Sequence, residues 1–207
     1  MVRLAVLASG SGTNLGALLE AAADPGYPCD VSLVVSDVPG CGALARADAA
    51  GVETAVVTWA DHGGDRRAFT AAIVDELRRR DVELVALAGF MRILDAGIVD
   101  AYPNAILNTH PSLLPAFRGA HAVNEALDAG VKVTGVTVHV VDEKVDHGPI
   151  VAQACVAVDD DDSPETLHER IKAVEHELFP RVVADWARGT FAVEGTRVRR
   201  RAVARRT

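Results

Sequence analysis

The sequence predicts an α/β protein: a mostly parallel sheet with helices on both faces, and an antiparallel strand pair toward the C-terminal half. Three observations predict it. Through residue 110, short apolar runs alternate with longer amphipathic stretches, the pattern of strand–helix–strand units with right-handed crossovers. The first run opens into a small, glycine-rich turn, Ser9-Gly10-Ser11-Gly12-Thr13-Asn14. Beyond residue 130, two strand-like runs follow one another with only a polar link between them, so they pair antiparallel.

Residues 4–8 are apolar throughout, as a strand covered on both faces must be. Residues 15–23 read as a helix, 31–35 as the second strand, and 42–50 as the second helix, closed by Gly51. The third strand is 54–57. Over 66–80, Phe69, Ile73, Val74 and Leu77 fall on one helical stripe. Residues 84–88 form the fourth strand, 93–101 a short helix and 105–109 the fifth strand. Residues 120–129 read as helical, and 133–141 with 150–158 are the antiparallel pair. Ser163 caps a last helix with Pro164 at its first position; it runs to about residue 186 with a break or kink at Pro180. No repeat or linker interrupts the chain, so 1–207 is one domain. Strands and helices in this order, with the glycine-rich turn after the first strand, make the fold Rossmann-like.

The length of 207 residues supports a full single core. Apolar residues make up 49% and charged residues 24%, ordinary for a globular protein. A net charge of −8 argues against nucleic-acid binding by the main body. Arginines concentrate in the tail 196–207, at Arg197, Arg199, Arg200, Arg201, Arg205 and Arg206, which reads as a solvated, poorly ordered terminus. Cys29, Cys41 and Cys155 are scattered without metal-type spacing, which suits a reduced, cytoplasmic protein. No run approaches a membrane span, and Arg3 interrupts any signal-peptide core. The expected partners are small-molecule substrates, with no nucleic acid and no membrane, for a monomer or homodimer.

The chemistry gathers around Asn108-Thr109-His110-Pro111-Ser112-Leu113-Leu114-Pro115. Asn108 and His110 lie two apart at a strand end, so both side chains share one face. The prolines then turn the chain away from the sheet. A lone histidine at a strand tip is more often a satisfied polar residue, so the other constellations carry weight. The turn from Ser9 to Asn14 offers free backbone N–H groups at a helix start, which favours an anion. It lacks the lysine of a Walker loop. It also misses the dinucleotide fingerprint, because Gly16 comes one residue late, although Asp37 stands where a ribose-binding acid would. A nucleotide- or nicotinamide-binding module therefore stays open. The loop with Asp142, Glu143 and Asp146 reads either as solvated turn chemistry or as a carboxylate turned inward to meet His110 and favour its imidazolium. With no nucleophile motif and no metal-ligand cluster, an Asn, a His and an Asp suit direct transfer between two bound substrates.

The octapeptide from Asn108, the segment from Gly135 to His139, and Asp146 with Gly148-Pro149-Ile150 resemble the 10-formyltetrahydrofolate-dependent formyltransferases. The likeness extends from the glycine-rich turn through residues 87–94 to Glu175 and His176. It implies a formyl transfer from 10-formyltetrahydrofolate, as co-substrate and without metal, to the amine of glycinamide ribonucleotide. It implies Asn108, His110 and Asp146 as the catalytic three. Gly12, Thr13 and Asn14 would hold the ribotide phosphate, and Lys172 and Glu175 would reach the ribotide. The folate walls would be Met91, Arg92, Ile93 and Leu94 on one side and Val141, Asp142, Glu143, Lys144 and Val145 on the other. Arg66, or its neighbour Arg67, would stand near the folate. Residues 1–110 then form the phosphate-binding half and 111–190 the folate-binding and catalytic half. The resemblance and the sharp turn together imply a cis Leu114–Pro115 peptide. Pro111 and the chain length set the sequence apart from methionyl-tRNA formyltransferases. Residues 111–113, with a first strand that begins at once, set it apart from formyltetrahydrofolate hydrolases, which remain the nearest alternative.

Overall fold

The computed structural model describes residues 1–201. Its elements, in chain order, are β1 (Val2–Leu7), α1 (Thr13–Ala22), β2 (Cys29–Ser36), α2 (Gly42–Ala49), β3 (Thr54–Val56), a 3₁₀ turn (Ala60–His62), α3 (Arg66–Arg79), β4 (Leu84–Leu87), α4 (Gly97–Ala101), β5 (Ile106–His110), α5 (Ala122–Asp128), β6 (Val133–Val140), β7 (Ile150–Ala157), α6 (Pro164–Ala187), β8 (Phe191–Glu194) and β9 (Arg197–Arg200). The main sheet runs β3-β2-β1-β4-β5-β6-β7. β1 to β5 are parallel, whereas β6 pairs antiparallel with both β5 and β7.

Alternation along β1 divides the core. Leu4, Val6 and Ala8 pack beneath α1, α2 and α6, with Leu15, Leu18, Ile171 and Phe179. Ala5 and Leu7 point to the other face, toward Phe69, Ile73 and Leu77 of α3 and Ile98 of α4. Both faces are therefore covered, and both sets of strand side chains are apolar. No helix among the described residues is long and apolar enough to cross a membrane.

Three expectations are corrected. The short helix begins at Gly97 rather than at residue 93: Asp95 N donates to Thr70 Oγ1 (2.8 Å) and Asp95 Oδ1 accepts from Gly97 N (3.1 Å). α6 passes through Pro180 unbroken for 24 residues. The ring costs one backbone bond, but Leu178, Phe179, Val182 and Val183 are buried around it, and the Pro180 carbonyl accepts from Tyr27 Oη at 2.8 Å. Ser163 and Thr166 cap the helix start reciprocally. The third correction is the tail. Residues 197–200 pair with 191–194 as a hairpin across a Gly195-Thr196 turn. Arg200 lies over the Phe191 ring (5.1 Å) and bonds Asp185 (3.0 Å), so residues 197–200 are ordered while their arginines stay exposed to solvent. Arg205 and Arg206 lie outside the described residues.

Gly148 closes the loop between β6 and β7. A Cβ there would stand 1.9 Å from Val140 O, closer than any real contact. Gly148→Ala should therefore destabilise the fold by about 1–3 kcal/mol, the usual cost of overpacking. Urea unfolding would read this as a lower midpoint with an unchanged slope.

Candidate active site

β5 ends at the C-terminal edge of the sheet, and its register with β6 sets Asn108 opposite His139. Asn108 Nδ2 donates to His139 Nε2 at 3.0 Å. His139 Nδ1 lies 3.0 Å from Val140 O, which can only accept, so that nitrogen carries the proton and Nε2 is free to receive the amide. The loop after β6 brings Asp146 in with φ 48°, a left-handed conformation that re-aims its side chain. Its Oδ1 accepts from Asn108 Nδ2 (3.4 Å) and lies 3.6 Å from His139 Nε2, while Oδ2 accepts from Gly119 N (2.8 Å) and lies 3.4 Å from His110 Nδ1. Burial is the largest single influence on Asp146 and pushes its pKa up. The contact with His139, the Gly119 N–H and the fields of His110 and His139 together outweigh it, and the carboxyl sits below its ordinary value.

Asn108, His110 and Asp146 thus converge as the sequence implied. His110 is only 4% exposed, and its Nε2–H donates to Phe117 O at 2.7 Å. His139 is the member sequence reading passed over. Its signal was the period-two alternation of β6, which puts it on the same face as Thr137. The Leu114–Pro115 peptide is cis.

A second group of polar residues lies at the start of α1. Gly12 adopts φ 70°, and no side chain caps the helix, so its first amides have no partner from a side chain. A Cβ on Gly12 would meet Ala43 Cα at 2.6 Å, so only glycine lets α2 approach this closely. Glu175 reaches the same place from α6, accepting from Asn14 Nδ2 (3.3 Å) and from Thr109 Oγ1 (2.9 Å). Thr109 lies between Asn108 and His110, so β5 touches both groups. Glu175 is 4% exposed, and burial pushes its pKa up against the Thr109 and Asn14 hydrogen bonds and the field of Lys172. The Lys172 ammonium itself pairs with Glu169 at 2.8 Å.

The residues expected to form the folate walls differ in exposure. Met91, Arg92 and Ile93 are exposed, while Leu94 and Val141 pack against the core under α3. Glu143, Lys144 and Val145 are exposed. Asp142 is turned into its own loop, accepting from Lys144 N (3.0 Å) and pairing with His147 Nδ1 (2.7 Å). A cavity of about 490 Å³ opens on Asp146 between Leu114, Arg118, Ile150 and the β8–β9 hairpin. A smaller one, about 240 Å³, is lined by Val140, Val141 and Asp142. Neither is lined by residues 91–94, nor by Arg66 or Arg67, which are both exposed at the start of α3. Asp37 is 6% exposed, with Oδ1 taken by Ser9 and Oδ2 by Arg92, so neither oxygen is free for a ribose as the nicotinamide reading required.

Residues 2–183 match the family described as formyl transferase. The chain is 47% identical over 193 residues to the phosphoribosylglycinamide formyltransferase of Mycobacterium tuberculosis (strain ATCC 25618 / H37Rv), covering 93% of this chain and 88% of that protein. The crystal structure of glycinamide ribonucleotide transformylase 1 from Symbiobacterium toebii superposes with a TM-score of 0.94 at 46% identity, covering 97% of this chain and 94% of that one. A formyltetrahydrofolate deformylase from Pseudomonas syringae pv. tomato str. DC3000 shares the fold at a TM-score of 0.89 but 26% identity, and the chain spans 65% of its length.

The raised pKa of Glu175 has a consequence for stability. A carboxyl whose folded pKa exceeds its unfolded value of 4.5 favours the fold fully only below that value, and the advantage is lost as pH rises through the folded pKa. Urea unfolding of wild type and Glu175→Gln across that range should show wild type losing ground to the variant as pH rises. A pH-independent difference would mean that Glu175 titrates alike in both states.

Proposed function

The chain belongs to the formyl transferase family, and from that premise we propose that it transfers a formyl group from 10-formyltetrahydrofolate to the amine of glycinamide ribonucleotide, a step of purine biosynthesis. The observation that carries this reading is the pair of groups joined by β5. Asn108, His110 and Asp146 form one polar group at the end of β5, and an uncapped helix start with the buried Glu175 forms the other, reached through Thr109. A hydrolase needs only the first group, since water is its acceptor. A built second site, together with closer identity to transformylases than to the deformylase, favours transfer. Three unpaired cysteines among the described residues suit a cytoplasmic setting.

In the proposed reaction the ribotide amine attacks the formyl carbon and forms a tetrahedral intermediate. The carbonyl oxygen becomes negative and the attacking nitrogen positive. Asn108 donates to that oxygen the hydrogen that Asp146 Oδ1 otherwise receives. His110 joins it once its Nε2–H is released from Phe117 O, a residue held at φ 51°. Asp146 takes the proton from the attacking nitrogen, directly or through a water, and passes it to the folate nitrogen as the bond from that nitrogen to carbon breaks. A carboxyl held below its ordinary pKa stays an anion near neutral pH, as a proton acceptor must. His139 fixes the Asn108 amide by accepting one of its hydrogens. The ribotide phosphate occupies the free amides of Gly12, Thr13 and Asn14, where the helix dipole favours an anion and close backbone approach is possible. Glu175, aided by Lys172, receives the ribose hydroxyls.

Losing one oxyanion donor typically costs about 10²–10³ in turnover. His110→Ala and Asp146→Asn are each expected to lower kcat on that scale, with the ribotide Kd within a few-fold of wild type. Near-normal turnover in Asp146→Asn would reduce that residue to a loop anchor. Release of free formate by wild type, with no formylated ribotide, would favour the hydrolase.

Inorganic phosphate should shift the amide resonances of Gly12, Thr13 and Asn14 in a saturable NMR titration. Unshifted amides at saturation would remove the helix start from the binding site.

A further inference from the structure

Gln153, on β7, takes no part in the proposed chemistry, yet it stands in line with His110. The register of β5 with β6 sets His110 opposite Thr137, and that of β6 with β7 sets Thr137 opposite Gln153. Residues directly opposite one another in neighbouring strands share a face. An imidazole, a hydroxyl and a primary amide therefore lie abreast across three strands. The turn from Ser112 to Phe117 rests on the same face. A Cβ on Gly135, two residues before Thr137, would stand 2.7 Å from Leu113 Cδ2, so the turn is seated directly on β6.

The Thr137 hydroxyl is filled to capacity. Its one hydrogen goes to Ser112 O at 2.7 Å, and its two lone pairs take Leu114 N and Gln153 Nε2, both at 3.0 Å. The Gln153 amide nitrogen has a second hydrogen, which goes to Leu114 O at 2.9 Å. A carbonyl only accepts, so it is the nitrogen of the amide that faces the turn. Gln153 supplies the one hydrogen bond that Leu114 O receives among the described residues. Leu114 is thereby held at both its N–H and its C=O. Within the turn, Ser112 N donates to His110 O (2.9 Å), Ser112 Oγ to Ala116 O (2.6 Å) and Ala116 N to Leu113 O (3.1 Å). The next carbonyl, that of Phe117, receives His110 Nε2–H. The His110 ring is therefore fixed on a turn that His110 itself begins. Thr137 and Gln153 tie that turn to the sheet.

Resting on the function proposed above, we infer that Gln153 is a positioning residue for His110. It touches neither substrate. It pins Leu114 O, and so keeps Phe117 O at the place from which the imidazole Nε2–H is released to the oxyanion. Without the amide, Leu114 O loses its partner, the turn loosens, and the ring is less often aimed at the reacting oxygen.

Gln153→Met keeps the length of the side chain and removes both donors. Turnover of 10-formyltetrahydrofolate and glycinamide ribonucleotide is measured for wild type, Gln153→Met, His110→Ala and the double variant. In the wild-type background the substitution should lower kcat about tenfold, the equivalent of about 1.4 kcal/mol in the barrier, with both KM values within about twofold. In the His110→Ala background it should lower kcat by less than about twofold, because the group it positions is gone. A merely structural role would cost the same in both backgrounds. A second readout needs no turnover. With no substrate added, the His110 Nε2 proton should exchange with water about tenfold faster in Gln153→Met than in wild type, as read by NMR. Gln153→Glu, equal in length and without a donor when ionised, provides the same comparison if the methionine variant does not fold. Unchanged kcat, equal losses in the two backgrounds, or unchanged proton exchange would overturn the inference. If wild type transfers no formyl group, the proposed function fails, and the proton exchange alone decides the role of Gln153.

Discussion

A carboxylate withdrawn from water must be paired, and the Asp146 side chain is 10% exposed. Its partners come from three parts of the chain: Asn108 and His110 on β5, His139 on β6, and the Gly119 amide in the segment between them. None of these contacts survives a shift in the β5–β6 register. Sliding that pairing by one residue would turn Asn108 and His110 to the other face and leave the carboxylate alone. The antiparallel entry of β6 is therefore what the site depends on. A parallel strand there would need a long crossover and a different hydrogen-bond ladder, without the direct pairing of Asn108 with His139.

The same strand carries the second constraint. Thr109 lies between the two polar residues and points to the opposite face, where it binds Glu175 from α6. One five-residue strand therefore serves both groups, one on each side of the sheet edge. α6 brings Glu175 to this point and continues unbroken through Pro180. Packing on Leu178, Phe179, Val182 and Val183 exceeds what the missing backbone bond costs. The polar groups satisfy each other: Asn108 on His139, His110 on Phe117 O, Asn14 on Glu175. Substrates that enter must replace these bonds, so binding becomes selective for ligands that offer equivalent acceptors and donors.

The alternating apolar runs, the glycine-rich turn and the Ser163-Pro164 cap were legible because each rests on local chemistry: strand and helix periods, backbone freedom and capping. So was the face shared by Asn108 and His110. The sequence by itself determined a mostly parallel sheet, the positions of its strand tips and the residue types gathered there. Only the tertiary structure decided what those residues do to one another. The β6 register made His139 a partner of Asn108, and the turn at Phe117 occupied His110. The reversal of strand order beside β1 set Asp37 to hold Arg92 instead of a ribose. The arginines of residues 197–200 joined a strand because Phe191 and Asp185 receive one of them. Each of these outcomes depends on groups far apart in the chain meeting within hydrogen-bond distance, and a periodic pattern carries no information about such meetings.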